Sequence, residues 1–380
     1  MKPSVAIVHD WLTGMRGGER CLEIVAELLP DAPILTLLHE PGSVSPSIER
    51  HDVQTTWISK WPLLRRHYRQ LLPFYPLAVK GLRSESYDLL LSLSHCAAKA
   101  VRRGPRARHV CYCFTPARYL WDQAEVYLDP RRSSWARRFV AHRLIPRLRA
   151  WDVATASGVD RFIAISRFVA ARIASCYGRR AEVVYPPVEL QRFAIAPRHE
   201  IGDHYLMVTA LAPYKQVDLA IEAFAASGRK LVVVGGGEDE RRLRALRRDG
   251  VEMRGRLTDR EVAHELARAR AFVLACEEDF GIAALESLAS GRPVLALGRG
   301  GALETIVAPG GAAPPTGIFF AAPEPESLID GIERMDQLVD DFDPTALRAH
   351  AAQFDVPIFR ASMARIIAEE LAGREAQVAP

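Results

Sequence analysis

Apolar residues fall along this chain in two alternating rhythms. Short apolar runs of strand length are separated by longer stretches in which apolar positions recur every three or four residues, the spacing of one face of a helix. In the first half the runs are VAIVHDWL (5–12), ILTLL (34–38), DLLLSLS (88–94), HVCYCF (109–114) and RFIAIS (161–166). A glycine-containing loop, GMRGGER (14–20), follows the first run and leads into the helical stretch CLEIVAELL, closed by Pro30. AEVVYPPVELQRF (181–193) carries Pro186 and Pro187 and reads as an extended connector, since consecutive prolines do not continue a helix.

The second half restarts the rhythm. YLMVTAL (205–211) precedes VDLAIEAFAAS, closed by Gly228, and KLVVVGGG (230–237) precedes EDERRLRALRRD, closed by Gly250. VEMRGRL, REVAHELARAR, AFVLAC (271–276) and PVLALG follow. Strands alternating with helices of about ten residues imply a parallel sheet covered by helices on both faces. The expected organisation is α/β, with a first unit over 1–190, a second over 191–350, and a helical segment over 351–380 packing back on the first. Ligands of open α/β sheets bind beyond the carboxyl ends of the strands. The functional loops are therefore expected at strand-to-helix turns facing a cleft between two such sheets.

Composition agrees with this picture and narrows it. A chain of 380 residues exceeds one ordinary core, and 49% apolar with 25% charged residues is a soluble, globular balance. The net charge of +4 hides an asymmetry: residues 1–190 carry a balance of +11 and residues 191–380 one of −7, so the two halves are expected to meet different partners. The six cysteines lack CxxC pairs and metal-type spacing and read as reduced core residues. No apolar run has the roughly 18 residues of a spanning helix, and Met1-Lys2-Pro3 runs straight into a strand without a signal-peptide layout. A cytoplasmic location is expected.

The stretch EEDFGIAALE (277–286) carries the most specific chemistry. AFVLAC is a buried strand, so EEDFG is the turn at its carboxyl end, and a helix is expected from Gly281 or Ile282 to Ser290 with Gly291 as terminator. Acids before a helix favour its positive end by about 0.3–1 kcal/mol. That effect covers Glu277, Glu278 and Asp279 and leaves Glu286, an acid among Ala284, Leu285 and Leu288, without a structural reason. Free N–H groups at the helix start form an anion site. A carboxylate beside such a site suits a sugar hydroxyl or a ribose, and the combination points to a sugar nucleotide.

The segment Glu278 to Glu286, E-D-F-G-I-A-A-L-E, resembles the two-glutamate signature of the family-four retaining glycosyltransferases. LAPYKQVDLAIEAF (211–224), VVVGGGEDERRL (232–243), RGRLTDREV (254–262) and ASGRPVLALGRGGALETI (289–306) follow that family's order and spacing. In the first half GGER (17–20), SLSHCAAKAV (92–101), TPARYLWD (115–122) and VVYPPVELQRF (183–193) do the same. The resemblance implies a GT-B architecture of two Rossmann-like domains facing across a cleft, with the sugar nucleotide held mainly by the second. It implies that Glu278 meets the transferred sugar, Glu286 the ribose, and the backbone of Phe280, Gly281 and Ile282 the sugar or diphosphate. Lys215 would neutralise the diphosphate leaving group. Arg256 and Leu257 would lie at the nucleobase, and Gly17 and Gly18 would let the backbone approach the phosphates or acceptor. His95 would stand near sugar and acceptor, with Asp10 a weaker acceptor-side candidate.

The chain departs from the family pattern at three places. Ala210 stands where the family has an arginine, Gln216 follows Lys215 in place of a common arginine, and Phe114 occupies a position where relatives often have histidine. A second cation for the diphosphate would then come from another arginine, with Arg167 and Arg256 both candidates.

The family's mechanism is front-face substitution with retention, the departing diphosphate helping to deprotonate the acceptor. No metal and no cofactor is expected, and DDFD (340–343) reads as a solvated turn. A mannosyl donor, GDP-mannose, and a glycan or polyprenyl-diphosphate-linked acceptor are the expected substrates. WISKWPLLRRHYRQLLPFYPLAVKGL (57–82) and RRSSWARRFVAHRLIPRLRAW (131–151) interleave aromatic and basic residues and predict peripheral docking on the anionic inner face of the plasma membrane. Nucleic acid is not expected, because no binding motif for it appears. A GT-B epimerase or hydrolase, or a catalytically weak sugar-nucleotide-binding protein, are the alternative readings. A dinucleotide dehydrogenase is disfavoured, since no G-x-G-x-x-G turn follows the first strand.

Overall fold

The structure, a computed structural model, describes residues 3–61, 68–124, 135–246 and 248–378. The chain divides into two compact units, Met1–Pro186 together with Pro357–Pro380, and Pro187–Val356.

The first unit is built on a seven-stranded sheet of β1 (Val5–His9), β2 (Ile34–Thr36), β3 (Val53–Thr55), β4 (Leu89–Ser94), β5 (Arg108–Cys113), β6 (Arg161–Ala164) and β7 (Ala181–Val183). Their order is β3-β2-β1-β4-β5-β6-β7 and every pairing is parallel. LLLSLS of β4 is buried at all its positions, as expected of a central strand covered on both faces. The stretch read as a wholly extended connector begins as β7, paired with β6 from Ala181 to Val183. At three residues it is too short to register as an apolar run, and the prolines behind it end it.

The long helix Val356–Val378 belongs to this first unit. Phe359 meets the buried Tyr112 ring edge-on at 5.5 Å. Arg161 bonds Glu369 at 2.8 Å, Arg108 bonds Glu370 at 3.0 Å, and Arg360 pairs with Glu27.

The second unit is a six-stranded parallel sheet of β8 (His204–Val208), β9 (Lys230–Val234), β10 (Val251–Gly255), β11 (Ala271–Leu274), β12 (Val294–Leu297) and β13 (Gly317–Phe320), in the order β10-β9-β8-β11-β12-β13. In both sheets the chain builds outward in one direction and then resumes on the other side of its first strand. That reversal lies between β1 and β4 in the first sheet and between β8 and β11 in the second. Loops leaving neighbouring strands at such a switch point diverge and open a crevice. The loops in question are 10–16 and 95–100 in one unit, and 209–216 and 275–281 in the other.

DDFD is a turn whose Phe342 is buried while Asp340 and Asp341 are exposed, and the Asp343 carboxylate caps the next helix by accepting Thr345 N–H at 2.9 Å.

Candidate functional site

The second unit places Lys215 and Glu278 together. Lys215 ends a short 3-10 turn, Pro213–Lys215, after β8, and Glu278 lies in the turn after β11. Sixty-three positions apart in sequence, their side chains form a direct ion pair and are 14% and 19% exposed. Burial alone lowers the Lys215 ammonium, but the Glu278 carboxylate outweighs it and the net shift is upward, so the lysine stays charged. Cys276 adds a 3.6 Å S–H contact to the same Glu278 oxygen.

The turn that carries Glu278 is fixed from behind. Gly301 N–H donates to Glu278 C=O at 2.8 Å, and a side chain at Gly300 would collide with that same carbonyl at 2.4 Å. The Phe280 ring is buried against Phe354, 5.7 Å away, so only its backbone is available to a ligand. Gly281 follows at φ +89 and serves as N-cap of the helix Ile282–Ala289 without a side-chain cap. The first N–H groups of that helix thus lack an intrahelical acceptor, the arrangement that attracts an oxyanion. Glu286 sits one turn into the helix, half-buried. The expected helix bounds differ from the observed ones by a single residue.

On the same rim, Arg256 and Leu257 follow β10. Arg256 lies across Gly236, where an added Cβ would stand 2.7 Å from its Nε. Ala210 is exposed in the loop after β8. Gln216 adopts the left-handed conformation, φ 51, and is the one non-glycine described residue to do so.

In the first unit Asp10 and His95 meet at the other switch point. Asp10 is wholly buried, and its carboxylate accepts the N–H groups of His95 (2.7 Å), Cys96 (3.0 Å), Ala97 (2.6 Å) and Ala98 (2.7 Å). It therefore shapes the loop after β4. Its Oδ2 also stands 3.1 Å from His95 Nδ1, and His95 keeps a quarter of its side chain exposed. Burial lowers the imidazole below its ordinary value against the opposing pull of Asp10, so the ring is neutral at pH 7. In the tautomer that carries its proton on Nδ1, on the Asp10 side, Nε2 would hold the lone pair and could accept a ligand hydroxyl.

Gly17 and Gly18 begin the helix Gly17–Leu28. A Cβ on Gly18 would lie 3.4 Å from the Phe114 ring and 3.9 Å from His9, so the glycine lets that ring close over the loop. Glu19 accepts Arg16 N–H at 3.1 Å and stands 3.7 Å from His9, itself buried. Burial pushes the Glu19 carboxyl up, and His9 and Arg16 pull it further down, leaving it below the ordinary glutamate value.

His9, Glu19 and Trp11 were absent from the sequence-based candidates. The one signal for them was their position in or flanking the loop that already held Asp10 and led to the paired glycines. Trp11 stacks edge-on against His95 at 4.5 Å.

Among the described residues no group of three or more His, Cys, Asp or Glu side chains is placed to hold a metal ion.

Two family models match the chain in tandem: Glycosyltransferase Family 4 over residues 15–192 and Glycosyl transferases group 1 over residues 194–340. Sucrose-phosphate synthase from Thermosynechococcus elongatus superposes with a TM-score of 0.73 at 16% identity, covering 98% of this chain and 100% of that one. HepE from Anabaena, solved with UDP and glucose, gives 0.69 at 17% identity over 96% and 99%. The fold is GT-B, and the chain belongs to the family-four, group 1 glycosyltransferases. A GDP-mannose-dependent alpha-(1-6)-phosphatidylinositol monomannoside mannosyltransferase of Mycobacterium tuberculosis is 33% identical over 180 residues, 39% of this chain and 46% of that protein. The match thus spans about half the length of this curated relative.

Proposed function

We propose that this chain transfers a hexose from a nucleotide sugar to a glycan or lipid-linked glycan, with retention of anomeric configuration. The observation that carries the reading is the Lys215–Glu278 ion pair at the switch point of the second sheet, beside an uncapped helix start. A diphosphate arriving there gains the free N–H groups and the lysine charge, and its departure from the sugar is favoured by that charge. The Glu278 carboxylate, beside the bound sugar, accepts hydrogen bonds from its hydroxyls. Lys215 supplies the charge without a metal ion. Mannose from GDP-mannose is the favoured donor, on the strength of the mycobacterial relative.

The acceptor side would be His95, positioned by Asp10, and a lipid-linked acceptor would bring the enzyme to a membrane from the cytoplasmic side. Exposed Trp61, Phe74, Leu77, Trp135, Phe139 and Val140 lie in the two segments read as membrane-facing, beside exposed Arg143 and Arg147. Residues 62–67 and 131–134 of those segments lie outside the described residues. Among the described residues no helix is long and apolar enough to cross a membrane.

The test is incubation of purified protein with GDP-mannose, UDP-glucose and related donors, with and without lipid extract, following donor consumption and the anomeric configuration of product by NMR. GDP-mannose should be consumed, and Lys215→Ala should lower turnover by about 10²–10³-fold. A product of inverted configuration, or no donor bound or consumed, would overturn the reading. The exposed methyl of Ala210, where a second cation could stand, favours one other outcome: donor binding without turnover, as in a weak binding protein. Isomerised or hydrolysed donor without any transfer would select the epimerase or hydrolase.

A further inference from the structure

Lys215 and Glu278 cancel one another in charge, whereas a nucleoside diphosphate leaving group carries about three negative charges. The rim of the second sheet offers another cation in Arg256. Its neighbours are committed: Arg254 pairs with Glu252 at 2.9 Å, Arg244 with Glu240 at 3.0 Å, and Arg242 with Asp239 at 2.6 Å and Asp218 at 2.9 Å. Arg256 is exposed and has no hydrogen-bond or ion-pair partner among the described residues.

Its course is set by the triglycine after β9. A Cβ at Gly236 would stand 2.7 Å from Arg256 Nε, 3.0 Å from Cγ and 3.4 Å from Cδ, so the side chain occupies the space that Gly236 leaves empty. Gly236 in turn lies alongside residue 210. Leu211 N–H donates to Gly236 C=O at 3.2 Å, Thr209 N–H donates to Val234 C=O at 2.9 Å, and a Cβ at Gly235 would strike Thr209 C=O. Ala210 is held between those two attachments. Two neighbouring positions thus lack long side chains, and the Arg256 side chain runs over the first of them.

We propose that Arg256 reaches over Gly236 into the space beside Ala210 and supplies the second positive charge at the donor diphosphate. The proposal rests on the nucleotide-sugar reading and adds a residue to it. It also distinguishes two roles for Arg256. A cation at the diphosphate serves every nucleoside diphosphate alike, whereas a guanidinium on the base edge discriminates among bases.

The experiment is calorimetric titration of GDP, UDP and GMP into wild type, Arg256→Ala, Gly236→Ala, Ala210→Arg/Arg256→Ala and Arg299→Ala. Thermal unfolding of each variant checks that it folds. Arg256→Ala should weaken GDP and UDP by the same factor, about 10–100-fold, and GMP by less. Gly236→Ala, which displaces the arginine while keeping its charge, should weaken GDP in the same direction. Ala210→Arg should restore GDP binding in the Arg256→Ala background, and Arg299→Ala, an exposed cation after β12, should change nothing.

Unchanged GDP affinity in Arg256→Ala overturns the proposal alone. So does a loss confined to GDP, or failure of Ala210→Arg to restore binding in a folded protein. Absence of any diphosphate binding in wild type overturns the nucleotide-sugar reading and the proposal with it.

Discussion

The Asp10 carboxylate holds His95 at 3.1 Å through one oxygen and the backbone of the next four residues, His95 to Ala98, through both. One buried charge therefore orders both the ring and the loop that presents it. Asp10→Ala would strand four N–H groups in a dry site, and each buried unsatisfied donor costs about 1–3 kcal/mol before relaxation. The expected loss is about 3 kcal/mol or more in urea unfolding. A change under about 1 kcal/mol would show that the loop holds itself.

A pH dependence follows from His109, whose Nε2 lies 2.8 Å from Ser92 Oγ in the centre of the first sheet. Burial pushes this imidazole down from 6.5 to about 4. The folded protein keeps it neutral where the unfolded chain already binds a proton, so its contribution is complete above pH 6.5 and drains away as pH falls towards 4. At about 1.4 kcal/mol per pH unit this amounts to about 3 kcal/mol. Stability measured against pH in wild type and in His109→Gln should differ in slope over that window. Parallel curves would remove His109 as the cause.

Gln216 holds a left-handed backbone at φ 51 immediately after Lys215, and its Oε1 is buried without a hydrogen-bond partner. Left-handed backbone costs an L side chain about 1–2 kcal/mol, and glycine returns part of that gain through its larger unfolded-state entropy. Gln216→Gly should therefore raise stability by up to about 1 kcal/mol, read as a higher Tm. A lower Tm would mean that the glutamine side chain holds the loop by contacts that outweigh its strain.

The exposed aromatic and basic surface of the first unit predicts binding to anionic vesicles. Leu72 and Leu144 pack on one small core of Ala117, Leu120 and Leu148, which ties the segment carrying Phe74 and Leu77 to the helix carrying Trp135 and Phe139. Arg143 also lies over the Phe139 ring at 4.6 Å. Trp135→Ser/Phe139→Ser should reduce co-sedimentation with phosphatidylglycerol vesicles by about tenfold, and high salt should weaken what remains. Equal recovery of wild type and variant with the vesicles would discard this surface.

Much of the architecture was legible because buried parallel strands are written as uninterrupted apolar runs. β4, β5, β9 and β11 appear nearly as read. The first apolar run extends past its strand: β1 stops at His9, because Asp10 turns inward to serve the loop after β4. The helix expected from residue 238 is described only as Glu240–Ala245. β13, Gly317–Phe320, gives little signal of its own, its four residues following a glycine- and proline-rich stretch.

The sequence by itself determined two α/β units and the turn that carries Glu278, since periodicity, glycine and proline act over a few neighbouring residues. Tertiary structure decided the meetings: Lys215 with Glu278, Asp10 with the loop of His95, Glu19 with His9, and Arg256 with Gly236. Sheet order brings the first two of these together across 63 and 85 positions of chain, and strand order is set by packing both faces of each sheet, which no local pattern encodes.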